Sequence, residues 1–345
     1  MKKAVILFVF LAGMGIAGLH SQIIKKTGNF SLTVEPVLTF TAEKITENIY
    51  YSAPNEDKKI SMLEWENRML MYGISVLSQY KKTKLNFSIF TSNDFLHRGI
   101  MTDSDWDNMD NFEMKTTLSK GDSTLNSCLD MNLSFQFDFN AAETVKISPV
   151  VSVNYNKKNF SRKNAEGWYG SKKYTTDGQY HWWYDDEAAK YPYYNETTGK
   201  RYSLAPIDLY TTDFAAEAGI KTLFKITDKT ALAFYAGTTV FTYFYGIDTH
   251  WTQDGSTKEL YPMRYKYEYY NFFEKLNASI FMNIQLTDIF EVATDLCINT
   301  TANKIKKKTK GTFTSDLDKF YTSNQDFSIF KESLYIKIAL KINLI

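Results

Sequence analysis

Two short motifs in this 345-residue chain combine residue types that could do chemistry together. In Met101-Thr102-Asp103-Ser104-Asp105-Trp106 two carboxylates stand one residue apart, and in Asp248-Thr249-His250 a carboxylate stands one residue from an imidazole. On an extended backbone residues i and i+2 point to the same side, so each motif brings its two groups together. Close carboxylates resist double ionisation and titrate as a unit. A carboxylate beside histidine raises its basicity and fixes its tautomer, as a water-activating base requires. Paired carboxylates can run peptide hydrolysis without a metal or a Ser/Cys nucleophile. Taken singly, each motif is equally a solvated turn.

Little else in the sequence competes for a catalytic role. Beyond the first 21 residues only His97, His181 and His250 remain, and the two cysteines, Cys128 and Cys297, have no second ligand nearby, so no metal site is expected. Forty basic against 39 acidic residues leave no basic footprint, which excludes nucleic acid as the expected partner.

The elements that must hold the motifs are strands. Lys2 and Lys3 precede an apolar run from Ala4 to Leu19 and small residues near Ser21, the pattern of a secretory signal peptide over 1–21. The exported part, 22–345, holds no apolar run long enough for a spanning helix. It is rich in aromatics, with 24 Tyr and 25 Phe in the chain, and alternates with period two. Leu334, Ile336, Ile338, Leu340, Ile342 and Leu344 form one apolar face of the last segment. Leu125, Leu129, Met131, Leu133, Phe135, Phe137 and Phe139 form another, with Asp130, Asn132 and Gln136 opposite. Apolar-out, polar-in strands of this length predict an all-β, ten-stranded antiparallel transmembrane β-barrel in the outer membrane of a Gram-negative-type bacterium.

Strands are expected near 30–47, 58–77, 83–96, 124–139, 144–158, 205–224, 229–246, 264–286, 289–302 and 326–345. Short turns between them would face the periplasm, and long loops at 48–57, 97–123, 159–204, 247–263 and 303–325 the outside. Both motifs then sit at the extracellular mouth, at the ends of the third and seventh strands. The third loop carries Trp168, His181, Trp182, Trp183 and Tyr184 and is expected to pack on itself or wall a groove; the run Lys304 to Lys310 reads as a solvated tip or a docking surface for acidic groups.

With these blocks in place the chain resembles the omptin family of outer-membrane endopeptidases. The resemblance rests on Lys59-Ile60-Ser61-Met62-Leu63-Glu64-Trp65, on Arg98-Gly99 leading to Met101 through Trp106, on Asp248-Thr249-His250, and more weakly on Asn299 to Lys304. It implies that Asp103 and Asp105 are the catalytic couple, that Asp248 and His250 are the dyad, and that a peptide or protein is the substrate. It also implies a pocket for a basic residue built from two acids. Glu47 matches the first, whereas the second falls on Gly246, so altered selectivity is expected. Met101 resembles a residue lining the far side of the cleavage site. No cofactor is implied, although lipopolysaccharide dependence is a family trait. Lys157, Lys158 and Arg162 are the phosphate-binding candidates here. The expected particle is a monomer in contact with outer-membrane lipid. Two other readings stand beside the protease: a catalytically lapsed barrel acting as an adhesin, and a pore.

Overall fold

A computed structural model describes residues 30–52, 57–106, 115, 117–169, 181–182, 194–195, 200–201, 207–253, 260–273, 275–285, 290–301, 309–316 and 319–344. The proposed signal peptide, most of the aromatic third loop and most of the lysine run lie outside the described residues. Long strands come first: β1 (Phe30–Ser52), β2 (Asp57–Tyr80), β3 (Thr83–Thr91), β4 (His97–Asp105), β5 (Thr117–Phe137), β6 (Phe139–Ala142) and β7 (Val145–Tyr169). Three two-residue pieces follow, β8 (His181–Trp182), β9 (Tyr194–Asn195) and β10 (Lys200–Arg201). The remainder are β11 (Ile207–Lys225), β12 (Thr230–Gln253), β13 (Leu260–Asn271), β14 (Lys275–Gln285), β15 (Phe290–Thr301), β16 (Thr309–Asp316) and β17 (Lys319–Leu344).

All main pairings are antiparallel and mostly between sequence neighbours. β2 pairs with β3 along its lower half and with β4 along its upper half, and β12 likewise pairs with β14 below and β13 above. β1 pairs with β2 on one side and with β17 on the other, from Leu32↔Leu344 to Tyr51↔Gln325.

Strands overshoot the expected limits, and two expected strands are broken. A span needs only about 9–11 tilted residues, yet β7 runs for 25 and β12 for 24. Their upper ends satisfy backbone groups in the ladder well beyond any lipid, so Asp103, Asp105, Asp248 and His250 lie on strands and not in the loops 97–123 and 247–263. The expected strand 83–96 stops at Thr91, turns through a 3-10 segment at Asp94–Leu96 and resumes as β4. Asn93 caps this turn by accepting from Leu96 N, and Asp94 Oδ1 accepts from Leu125 N at 3.0 Å.

That last bond coincides with a bulge in β5. Its register against β7 skips between Leu125 and Ser127, so an extra residue flips the faces. Below the bulge the alternation is as read from sequence: Leu133 and Phe135 are exposed outward, while Asp130, Asn132 and Gln136 line the interior. Above it Leu125, expected on the lipid face, is buried in the core.

β12 repeats the device. Against β11 its register skips Val240. Below the skip Ala233 and Thr239 are the buried positions; above it Thr242, Phe244, Gly246 and Asp248 are. The adjacent break between β13 and β14 is bound to this bulge, since Thr239 Oγ1 accepts from Lys275 N at 2.9 Å and Thr238 Oγ1 donates to Lys275 O.

The interior is therefore layered. A polar cavity of about 470 Å³ fills the lower part, lined by groups such as Glu35, Asn132, Asn154, Asp213 and Glu217. Above it the Lys158–Glu43 pair, 2.6 Å apart and almost fully enclosed, meets an apolar layer of Trp65, Met69, Met101, Leu125, Phe160, Leu209 and Phe244. Outside, Phe40, Ile74, Phe135, Val151, Ile220 and Phe234 expose an apolar belt suited to lipid. Outward ion pairs lie above it, Lys44 with Glu64 and Glu66, and Lys266 with Glu268. Glu47, Asp103 and Asp248 lie at or beyond this charged level, since Thr102 pairs with Glu64 and Ile247 with Lys266. The site thus stands clear of the membrane-spanning segments.

Candidate active site

On the β12 wall, the His250 imidazole donates through Nε2 to Asp248 Oδ2 at 2.7 Å. Asp248 is fully buried, whereas the His250 side chain remains 24 % exposed and so reachable from the mouth. Burial alone would lower the imidazole pKa. The charge and hydrogen bond of Asp248, with the more distant charge of Asp103, outweigh it and raise it to about 9. Asp248 Oδ1 is buried with no hydrogen-bond partner among the described residues.

Below the dyad the wall is aromatic. Phe244 stacks on Tyr269 at 5.2 Å, and Tyr265 meets the His250 ring edge-on at 5.4 Å. Burial, then the charges of Asp248, Asp105 and Asp103, push the Tyr265 phenol upward, so its hydroxyl stays protonated as a donor between the two acidic motifs. Tyr265 was not singled out in the sequence. The available signal was the period-two run Tyr265, Tyr267, Tyr269 on one side of β13.

Across the mouth β4 is held between β2 and β5, with Asp103 opposite Leu63 and Ser119, and Asp105 opposite Ser61 and Thr117. Gly99 lets β4 sit this close, because a Cβ there would fall 2.6 Å from Asn67 Oδ1 and 2.8 Å from Glu66 O. Burial pushes the Asp103 carboxyl up, against the opposing pulls of Arg162 and the His250 charge. Arg162 Nη1 lies 3.7 Å from Asp103 Oδ2. The two motifs thus act on each other across the mouth, Asp103 on His250 and His250 on Asp103.

Glu47 and Met101, which the resemblance implies touch substrate, are both enclosed. Glu47 has no exposed surface, and Tyr267 donates its hydroxyl to Glu47 Oε2 at 2.8 Å. Burial and then the charge of Asp248 hold Glu47 well above the ordinary carboxylate range. Gly246 is packed too: a Cβ there would come within 3.0 Å of Phe244 and 3.3 Å of Tyr267. Met101 is fully enclosed in the apolar layer.

Of the three phosphate candidates on β7, Lys158 and Arg162 face inward and are buried. Only Lys157 points outward, over the Tyr210 ring at 5.5 Å. The mouth itself carries cations beside the aspartates, with the ammoniums of Lys59 and Lys115 at 4.2 and 5.2 Å from the Trp106 ring centroid.

An antiparallel all-β wall with an outward apolar belt, a polar interior and a mouth of ionisable groups defines an outer-membrane β-barrel fold. The omptin family model matches residues 30–201, and the chain belongs to the omptin family. Its fold is similar to that of the outer membrane protease OmpT from Escherichia coli, at 13 % identity and a TM-score of 0.68, covering 94 % of this chain and 100 % of that one. A FadL homologue from Pseudomonas aeruginosa (8 % identity, TM-score 0.30, 91 % of each chain) and the translocator domain of the autotransporter NalP from Neisseria meningitidis (9 % identity, TM-score 0.31, 97 % of this chain and 96 % of that one) also match. A search of curated proteins finds no match.

Proposed function

We propose that this protein is an outer-membrane endopeptidase that hydrolyses peptide bonds at the extracellular mouth of a closed barrel. Family membership and the shared fold support an outer-membrane protease. The staves of that barrel are β1, β2, β3 with β4, β5, β7, β11, β12, β13 with β14, β15 with β16, and β17, ten in all on this reading, with β17 returning to β1.

One observation carries the mechanism. A hydrogen-bonded Asp248–His250 dyad on one wall faces a buried, ion-paired Asp103 on another, close enough for each to act on the other's charge. A water between the walls attacks the scissile carbonyl. His250, once neutral, takes its proton and returns it to the leaving amine. Asp248 orients the ring and stabilises the imidazolium. Asp103 and Asp105 position the water and move protons at the developing oxyanion. Tyr265 is placed to donate there as well.

Selectivity for a basic residue is weak on this reading, because Glu47 is enclosed and Gly246 supplies no second charge. A requirement for lipopolysaccharide belongs to the proposal through the resemblance alone, and so does the monomeric state. The enclosed Glu47 also favours a second reading, a lapsed barrel that binds host surfaces without cutting. A mixed peptide library, profiled by mass spectrometry with the refolded protein and its Asp103→Ala and His250→Ala variants, separates the two. Cleavage lost in both variants is expected. Undiminished cleavage in both removes the mechanism, and no cleavage by the wild type leaves the binding reading.

A further inference from the structure

A guanidinium is an unusual thing to bury beside a catalytic carboxylate, and Arg162 is 96 % enclosed. Its place is built from three strands. On β5, Ser119 Oγ accepts from Nη1 at 2.8 Å; on β4, the Met101 thioether accepts from the same nitrogen at 3.8 Å. Gly121, also on β5, leaves room for the stem, since a Cβ there would strike Arg162 Cγ at 2.7 Å and Lys163 O at 2.7 Å. From this seat Nη1 reaches Asp103 Oδ2 at 3.7 Å. Burying a cation costs several kcal/mol unless opposite charge and hydrogen bonds compensate, and Asp103 supplies opposite charge at this seat.

We propose that Arg162 is the positioning residue of the aspartate wall, a buried cation that holds the Asp103 carboxylate in place as an anion and counterweights the charge of the opposing dyad. The proposal rests on the four-residue site described above. Without Arg162 the most favourable partner for Asp103 is the His250 imidazolium itself, and a tight pair across the mouth would occupy the space in which the water must sit. The guanidinium prevents this in two ways: it pulls Asp103 toward its own wall, and its charge disfavours the imidazolium. The groups facing this pair are Asp105 on β4, Asp248 and His250 on β12, Tyr265 and Tyr267 on β13, and Glu47 on β1. These are acids or phenols apart from His250, and the ammoniums of Lys59 on β2 and of Lys115 stand at the Trp106 ring beside them. The Lys158–Glu43 pair lies one layer below. Arg162 is thus the buried cation on which the balance between the walls turns.

The test is made on the refolded full barrel with selective histidine labelling, following the His250 ring by NMR through a pH titration in wild type, Arg162→Met and Arg162→Lys. The His250 midpoint should move up by roughly one unit in Arg162→Met and return most of the way in Arg162→Lys, as expected for a single charge removed from a poorly solvated site. An unmoved midpoint in Arg162→Met overturns the proposal. If that variant does not refold, Ser119→Ala, which removes the anchor alone, must shift the midpoint in the same direction, and an unchanged value there overturns it equally. The titration reads the charge balance whether or not a peptide is cut, so a failure of the protease reading is seen separately, in the cleavage assay. Where cleavage is measured, kcat/KM of Arg162→Met should fall about tenfold at pH 7 and recover at higher pH. An equal loss at every pH would assign Arg162 a structural role only and overturn the inference.

Discussion

The two walls of the mouth solve the same physical problem with opposite charges. On β12 a titratable imidazole is held by a buried anion, Asp248, over a floor of Phe244, Tyr267 and Tyr269. On β4 a carboxylate is held by a buried cation, Arg162, over sulfur and hydroxyl groups. Each reactive group therefore has a counter-charge on its own side, and neither needs the other as its only partner. On the proposed mechanism that difference keeps the walls apart: two groups paired across the gap would neutralise each other and close it, whereas groups paired within their walls would leave polar faces for a water and a peptide.

Breaking the dyad should have the largest consequence. In Asp248→Asn the ring loses the anion that orients it, and kcat/KM should fall on the order of 10³-fold. The His250 midpoint, measured by NMR, should drop at the same time toward the ordinary histidine value. A variant with a lowered midpoint and full activity would show that Asp248 tunes the ring without orienting it. The wild-type pH profile tests the same wall without mutation. On the proposed mechanism neutral imidazole is the base, so kcat/KM should climb as pH rises through about 9, and at pH 7 only about one hundredth of the plateau rate should remain. A profile already flat at pH 7 would contradict this assignment.

Gly246→Asp sharpens the comparison from below. A carboxylate placed against Phe244 and Tyr267 must displace rings or stay unsolvated, so the variant should lose about 1–3 kcal/mol of stability in denaturant titration. Gain of a strong arginine preference with no stability loss would mean that the pocket is open after all. Smallest of all should be Glu47→Gln. Glu47 is held toward its neutral form, so an uncharged isostere that still accepts from Tyr267 should change cleavage by no more than a few-fold. A loss beyond tenfold, confined to substrates with a basic residue at the cleavage site, would identify Glu47 as an ionised pocket acid.

Period-two patterning made most strands legible, because a face that meets lipid must be apolar at every second residue. It placed the lower half of β5 well. It fell short at the upper ends of β5, β7 and β12, where nothing in the alternation distinguishes a ladder from a loop. The motifs were legible for a related reason, since residues one apart on a strand are forced to the same side. The inward face of Arg162 was not legible, because it depends on the parity of β7, which a lysine- and asparagine-rich stretch does not reveal. The filling of the pocket by Phe244 and Tyr267 was likewise hidden, because those two rings come from neighbouring strands.

The amino-acid sequence by itself determined most wall-forming strands, the two motifs and the pairing of Asp248 with His250, all consequences of short-range backbone geometry. Only the tertiary structure decided which way the motifs face. One skipped residue at Val240 turns Asp248 and His250 inward, and the position of a bulge is set by hydrogen-bond register against a neighbouring strand. The partner of Asp103 was decided in the same way, by strands that meet only when the sheet is assembled.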